Sequence, residues 1–162
     1  MTTAGCATEP KPVVPNIAAD LATGSAVSAV STDTLREIMT APSDQPRVVN
    51  FWATWCPPCI AELPAIEHFA STHPNVDVIL VNTDMPQFRQ TKVKSFLDAR
   101  HIVASHNAAV DIPDQAAMLA AVVPDWPNAI PYTVVIDADG HTASTFRTAI
   151  TSEQLERAVA GL

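Results

Sequence analysis

The stretch Arg47-Val48-Val49-Asn50-Phe51-Trp52-Ala53-Thr54-Trp55-Cys56-Pro57-Pro58-Cys59 decides how this chain is read. Arg47 to Ala53 is a mainly apolar run with β-branched and aromatic residues, the pattern of a strand covered on both faces inside an α/β sheet. Two thiols three positions apart follow at once. From Pro57 a helix is expected to run to about His73, with Ile60, Leu63, Ile66 and Phe69 on one face and Pro64 inside it as a kink. A Cys56–Cys59 disulfide would close a loop too short to stabilise the fold by restricting the unfolded chain. The pair suits electron exchange better than stapling. A structural bridge, or two buried free thiols, is the alternative reading.

Outward from this stretch, Val76 to Asn82 reads as a second buried strand. Gln87 to about Arg100 reads as a helix with Phe88, Val93, Phe96 and Leu97 inward. Pro113 to Val123 is a weaker helix with Pro113 near its first turn. Tyr132 to Ile136, the turn Asp137-Ala138-Asp139-Gly140 and His141 to Arg147 make a hairpin with glycine placed for positive φ. Thr151 to Gln154 opens a last helix through Leu155 and Val159. Upstream, Ser31-Thr32-Asp33 caps a short helix through Met39, and Pro42 to Pro46 then breaks the chain. Residues 31–162 are thus expected to form one α/β domain with helices on both faces of a sheet. Residues 1–30, punctuated by Pro10, Pro12 and Pro15 and poor in large apolar side chains, read as a flexible tether.

The 162 residues are 48% hydrophobic, enough for one domain with a real core. The formal charge of −8 and the lack of any basic cluster argue against nucleic acid as a partner. No apolar run approaches the roughly 18 residues needed to span a bilayer. The three cysteines are Cys6, Cys56 and Cys59, one close pair and one solitary thiol. The five histidines (His68, His73, His101, His106, His141) are scattered, and none lies near the pair at ligand spacing, so no metal site is expected. Met1-Thr2-Thr3-Ala4-Gly5-Cys6 is similar to the end of a bacterial lipoprotein signal without its apolar segment. Cys6 is either a lipidation site whose export segment precedes this sequence or an incidental tail thiol.

The element order, the strand before the C-x-x-C, the tryptophans around it, Ile130-Pro131 and the Asp139-Gly140 hairpin together resemble the thioredoxin fold over about residues 31–161. The resemblance is nearest to the TlpA/ResA branch (DsbE/CcmG-like), exported thiol–disulfide oxidoreductases. It implies a central mixed sheet with helices on both faces and a branch-specific insertion, here Ile102 to Pro127. Cys56, at a helix N-terminus that favours an anion, is expected to be the attacking thiolate, and Cys59 the resolving thiol. Pro57 and Pro58 have no N–H to offer the Cys56 sulfur and stiffen the small ring, whereas Cys59 N–H can still donate. They are expected to tune a potential that in such pairs ranges over roughly −270 to −120 mV.

Further roles follow from the resemblance. Glu62 matches an active-site glutamate of the branch and would exchange a proton with Cys59, the alternative being a solvated helix residue. Asn50 stands where thioredoxin has a buried proton-relaying aspartate, and being an amide it cannot titrate. Its alternative is a core amide. Pro131 matches the cis-proline of the fold, which leaves the Ile130 backbone free to pair with a substrate strand; a plain trans proline is the alternative. Ala129 and Tyr132 replace the usual glycine and threonine, so a bulkier substrate rim is expected. Trp55, Pro57, Ile130, Tyr132 and Trp126 are candidates for substrate contact, and Trp52 for the core.

The expected activity is reduction of specific protein disulfides, of the cytochrome c maturation or copper-centre assembly type, by a monomer in the bacterial cell envelope. A membrane thiol-electron donor would recharge it, and no cofactor beyond the Cys56–Cys59 disulfide is expected. A disulfide-forming oxidant, or a non-enzymatic copper(I)-binding or redox-sensing module, are the alternatives.

Overall fold

The computed structural model describes residues 14–111 and 114–162. Cys6 and Pro113 lie outside the described residues. In chain order the elements are β1 (Ala22–Thr23), β2 (Ser28–Val30), α1 (Thr32–Thr40), β3 (Arg47–Trp52), α2 (Pro57–Thr72), β4 (Asp77–Asn82), α3 (Lys94–Ala99), β5 (His106–Val110), α4 (Gln115–Val122), β6 (Tyr132–Ile136), β7 (Thr142–Phe146) and α5 (Ser152–Val159). The sheet order is β1-β5-β4-β3-β6-β7, with β2 also on the outer edge of β5. β3, β4 and β5 are parallel neighbours; β6 pairs antiparallel with β3, and β7 antiparallel with β6. This is the mixed sheet of a thioredoxin-like fold.

Strand periodicity divides the core in two. Val49 and Phe51 of β3 point to the face covered by α1 and α4, where Leu35, Ile38, Met39, Leu119 and Val122 meet them. Val48 and Trp52 point to the opposite face, against Leu63, Ile66 and Phe69 of α2, Leu97 of α3 and Leu155 of α5. All six residues of β3 are buried, as its apolar run requires. Trp52 is a core residue, fully covered. Arg47, on the same side as Val49, is also fully buried and donates to the carbonyls of Ile38 and Ala41 at the end of α1.

Local signals behave as their chemistry dictates. Ser31 Oγ accepts from Thr34 N and caps α1. Thr151 and Gln154 form a capping box on α5. Gly140 has φ +90°, and a Cβ there would collide with the Thr40 carbonyl, so the hairpin turn needs glycine.

Three expectations are corrected. Residues 14–30 are packed onto the domain: Ala18, Leu21 and Val30 are buried, and β1 and β2 lie along the edge of β5. Small residues were enough because a strand edge supplies backbone partners whatever the side chains. The segment from Ile102 to Pro127 holds a full strand, β5, between β4 and the β1/β2 edge, ahead of α4. The helix expected from Gln87 begins as a 3₁₀ turn (Pro86–Phe88) and a π turn (Arg89–Val93), and only Lys94–Ala99 is α-helical. That change of winding turns Phe88 outward, whereas Val93 and Leu97 remain buried.

Candidate active site

Cys56 is the N-cap residue of α2, at the C-terminal end of β3. A turn closed by Cys56 N donating to Ala53 O (3.2 Å) carries the chain from strand to helix. Cys56 and Cys59 are joined by a disulfide. The two sulfurs are not equivalent: Cys56 is 4% exposed and Cys59 fully buried, so an incoming thiolate or disulfide meets Cys56 first. Among the described residues one donor reaches the Cys56 sulfur, Cys59 N at 3.3 Å. Pro57 and Pro58, both exposed, occupy the first helical positions and contribute none.

Glu62 is not a solvated helix residue. It is 3% exposed, one turn along α2 from Cys59. Asn50 Nδ2 donates to Glu62 Oε1 (2.8 Å) and Ile150 N to Oε2 (2.7 Å). Burial pushes the Glu62 carboxyl above the usual glutamate range, and the hydrogen bonds from Asn50 and Ile150 partly offset this. Asn50 also donates to Thr133 Oγ1 at 2.9 Å. A buried polar bridge therefore joins β3, β6, α2 and the segment before α5 beneath the redox pair. Thr133 and Ile150 belong to it, and no sequence signal marked them: a threonine in a strand is ordinary, and Ile150 contributes only its backbone.

The Ile130–Pro131 peptide bond is cis. Pro131 is buried, and Ile130, half-buried, packs against both core clusters. Beside it opens a groove of about 340 Å³ lined by Trp55, Thr83, Leu119, Trp126 and Ile130, with Gln115 at its α4 wall. Trp55 is 63% exposed. Trp126 is held edge-on against Phe51 (5.3 Å) and Tyr132 (5.6 Å). Trp55 and Pro57, next to Cys56 in the chain, and the half-buried Ile130 and Trp126 are thus surface features. Tyr132 is not. Its ring is fully buried and its hydroxyl donates to Pro124 O at 2.8 Å; as the first residue of β6 it points into the core that Phe51 fills. The rim is bulky through Trp126 instead.

Asp137, Asp139 and His141 bring three ligand-type atoms within 4.8 Å of one another. They sit on the β6–β7 turn, at the end of β6 remote from Pro131, and are part of the hairpin's own hydrogen bonding. No helix among the described residues is long and apolar enough to cross a membrane.

Residues 22–161 match the Redoxin family. Sporulation thiol-disulfide oxidoreductase A of Bacillus subtilis (strain 168) is 35% identical over 60 residues, 36% of this chain and 36% of that protein. Thiol-disulfide oxidoreductase ResA of Geobacillus kaustophilus (strain HTA426) is 28% identical over 111 residues, 67% of this chain and 58% of that protein. The matched segments therefore span between about a third and three fifths of these relatives. Among solved structures, a DsbF homologue from Corynebacterium diphtheriae superposes with a TM-score of 0.62 at 21% identity, over 74% of this chain and 73% of that one. The fold is thioredoxin-like, and the chain, with its C-x-x-C at the start of α2, belongs to the Redoxin family.

Proposed function

We propose that this protein is a thiol–disulfide oxidoreductase that reduces specific protein disulfides. The observation that carries the reading is the unequal pair at the N-terminus of α2, with Cys56 at the surface and Cys59 beneath it. In the reduced protein the Cys56 thiolate attacks a target disulfide, forming a mixed disulfide and releasing one target thiolate, which takes up a proton. The Cys59 thiol loses its proton and attacks Cys56 Sγ, which releases the second target sulfur as a thiol. Two electrons and two protons have passed to the target, and the Cys56–Cys59 disulfide is left. Glu62, buried one turn from Cys59, is the acid–base group nearest in the helix to that second step. The disulfide itself is the redox group, and no bound cofactor takes part.

What supports the reducing direction is the small number of donors placed to stabilise a Cys56 thiolate. A strong oxidant is one whose reduced form is stabilised. Here a single N–H reaches the sulfur, because the next two residues are prolines. A poorly supported thiolate gives up electrons readily. The names of the relatives, thiol-disulfide oxidoreductases, agree with the chemistry. We further propose an envelope location and a monomer recharged by a membrane thiol-electron donor. Targets would be disulfides of the kind formed in cytochrome c or copper-centre assembly, and Cys6 would be a lipid anchor.

Equilibration with glutathione tests the direction. A potential at or below about −230 mV is expected, and one near about −120 mV would make the protein an oxidant. Cys56→Ser should abolish reduction of a protein disulfide, and Cys59→Ser should accumulate the mixed disulfide. Stoichiometric copper(I) binding without any turnover would overturn the enzymatic reading.

A further inference from the structure

Asp84 stands two residues beyond the end of β4 and is 3% exposed. Its carboxylate grips the turn that delivers Cys56. Thr54 Oγ1 donates to Asp84 Oδ1 (2.6 Å) and Thr54 N donates to Oδ2 (2.8 Å). Asn82 Nδ2 also donates to Oδ2 (2.9 Å), while Asp84 N donates back to Asn82 Oδ1 (3.0 Å), so the carboxylate is itself held in place. Lys92 Nζ stands 4.0 Å from Oδ1. Thr54 and Trp55 are the two central residues of the turn closed by Ala53 O and Cys56 N. A two-point grip on Thr54, backbone and hydroxyl together, fixes the plane of that turn and so the direction in which Trp55 leaves it.

The same residue reaches the opposite wall of the groove. Gln115 Nε2, at the start of α4, donates to the Asp84 carbonyl at 3.3 Å. Thr83, just before it, lines the groove and is tied to Trp52 O through its N–H (2.9 Å). Three walls of the groove therefore meet at one buried residue: the Trp55 turn and the end of β4 at its carboxylate, and α4 at its main-chain carbonyl. Nothing in the exchange chemistry of the two sulfurs requires it.

We propose that Asp84 is a positioning residue that sets the Trp55 platform and the α4 wall in register with the redox pair, and so determines how well a target segment docks. The inference rests on the groove being the docking site for the substrate.

The test is steady-state reduction of a disulfide-bonded reporter peptide, with dithiothreitol as electron source, resolved into kcat and KM. Asp84→Asn keeps the shape but removes the charge: the amide oxygen still accepts from Thr54 N, while the N–H₂ meets the Thr54 hydroxyl, which must then accept instead of donate, so both grips lose their charge assistance. The expected result is a rise in KM of about tenfold with kcat changed less than threefold, the scale of one charge-assisted bond. Thr54→Val removes only the hydroxyl grip and should raise KM by roughly threefold to fivefold, whereas Thr54→Ser restores it. Trp55→Ala should raise KM in the wild-type background and add little in the Asp84→Asn background, because both changes remove the same platform. Wild-type KM in Asp84→Asn, full additivity with Trp55→Ala, or a fall in kcat at constant KM would each overturn the assignment. If Asp84→Asn does not fold, equal KM values for Thr54→Val and Thr54→Ser overturn it instead. A wild-type KM for Trp55→Ala alone would refute the docking reading itself and this inference with it.

Discussion

Replacing Glu67 by alanine should destabilise the domain by about 2–4 kcal/mol while leaving its redox equilibrium alone. Glu67 lies on α2, and its carboxylate gathers the chain just before β5. Val103 N and Ala104 N donate to Oε1, and Ser105 N (3.2 Å) and Ser105 Oγ (2.7 Å) to Oε2. Val103 is exposed and its N–H can turn to water. Ser105 is fully buried, so its two donors lose their acceptor with no replacement, at about 1–2 kcal/mol each. Glu67→Gln keeps one acceptor oxygen and should cost about half as much. Urea unfolding reads the difference. With a slope of about 2 kcal/mol per molar urea, the midpoint should fall by about 1–2 M for alanine and by half of that for glutamine. The glutathione equilibrium of Cys56–Cys59 should not move, since Glu67 touches neither sulfur nor groove. A loss below about 1 kcal/mol for alanine, or equal losses for both variants, would refute the argument that the buried Ser105 donors carry the effect.

Glu62→Gln should make stability less dependent on pH. A carboxyl whose pKa is raised on folding contributes stability that is fully present below the ordinary glutamate pKa and is lost as pH rises through the raised value. The amide has no such loss, so the stability of the variant relative to wild type should climb through that window; parallel urea-midpoint curves against pH would refute it. The same variant should alter the pH dependence of the reduction potential, measured at two pH values. Tyr132→Phe removes only the hydroxyl bond to Pro124 O and should cost about 1 kcal/mol. It should leave the KM for the reporter peptide within twofold, and a larger change would restore Tyr132 to the substrate rim.

Much of the architecture was legible because its signals are local. The β3 run, the Cys56 to Thr72 helix, the glycine turn of the hairpin and the caps of α1 and α5 depend on residues within a few positions of one another. β5 was not legible. His106-Asn107-Ala108-Ala109-Val110 has neither an apolar run nor alternation, and it is a strand because β4 pairs with one side of it and β1 and β2 with the other. The packing of Ala18 and Leu21 was hidden for the same reason. Tyr132 was misplaced because its position relative to Pro131 said where it stands in the chain, while the pleat decides which side of the sheet its ring takes.

By itself, the sequence determined the redox pair, its place at the head of a helix, the absence of helical N–H groups at residues 57 and 58, and the α/β class. These are properties of bonded chemistry and short-range periodicity. Only the tertiary structure decided that Glu62 is buried against Asn50 and Ile150, that Tyr132 turns into the core, and that Asp84 holds Thr54 from 30 residues away. A carboxylate's role depends on which donors surround it and how much water is excluded. Both are set by strands and helices distant in sequence that meet at the ends of β3 and β4.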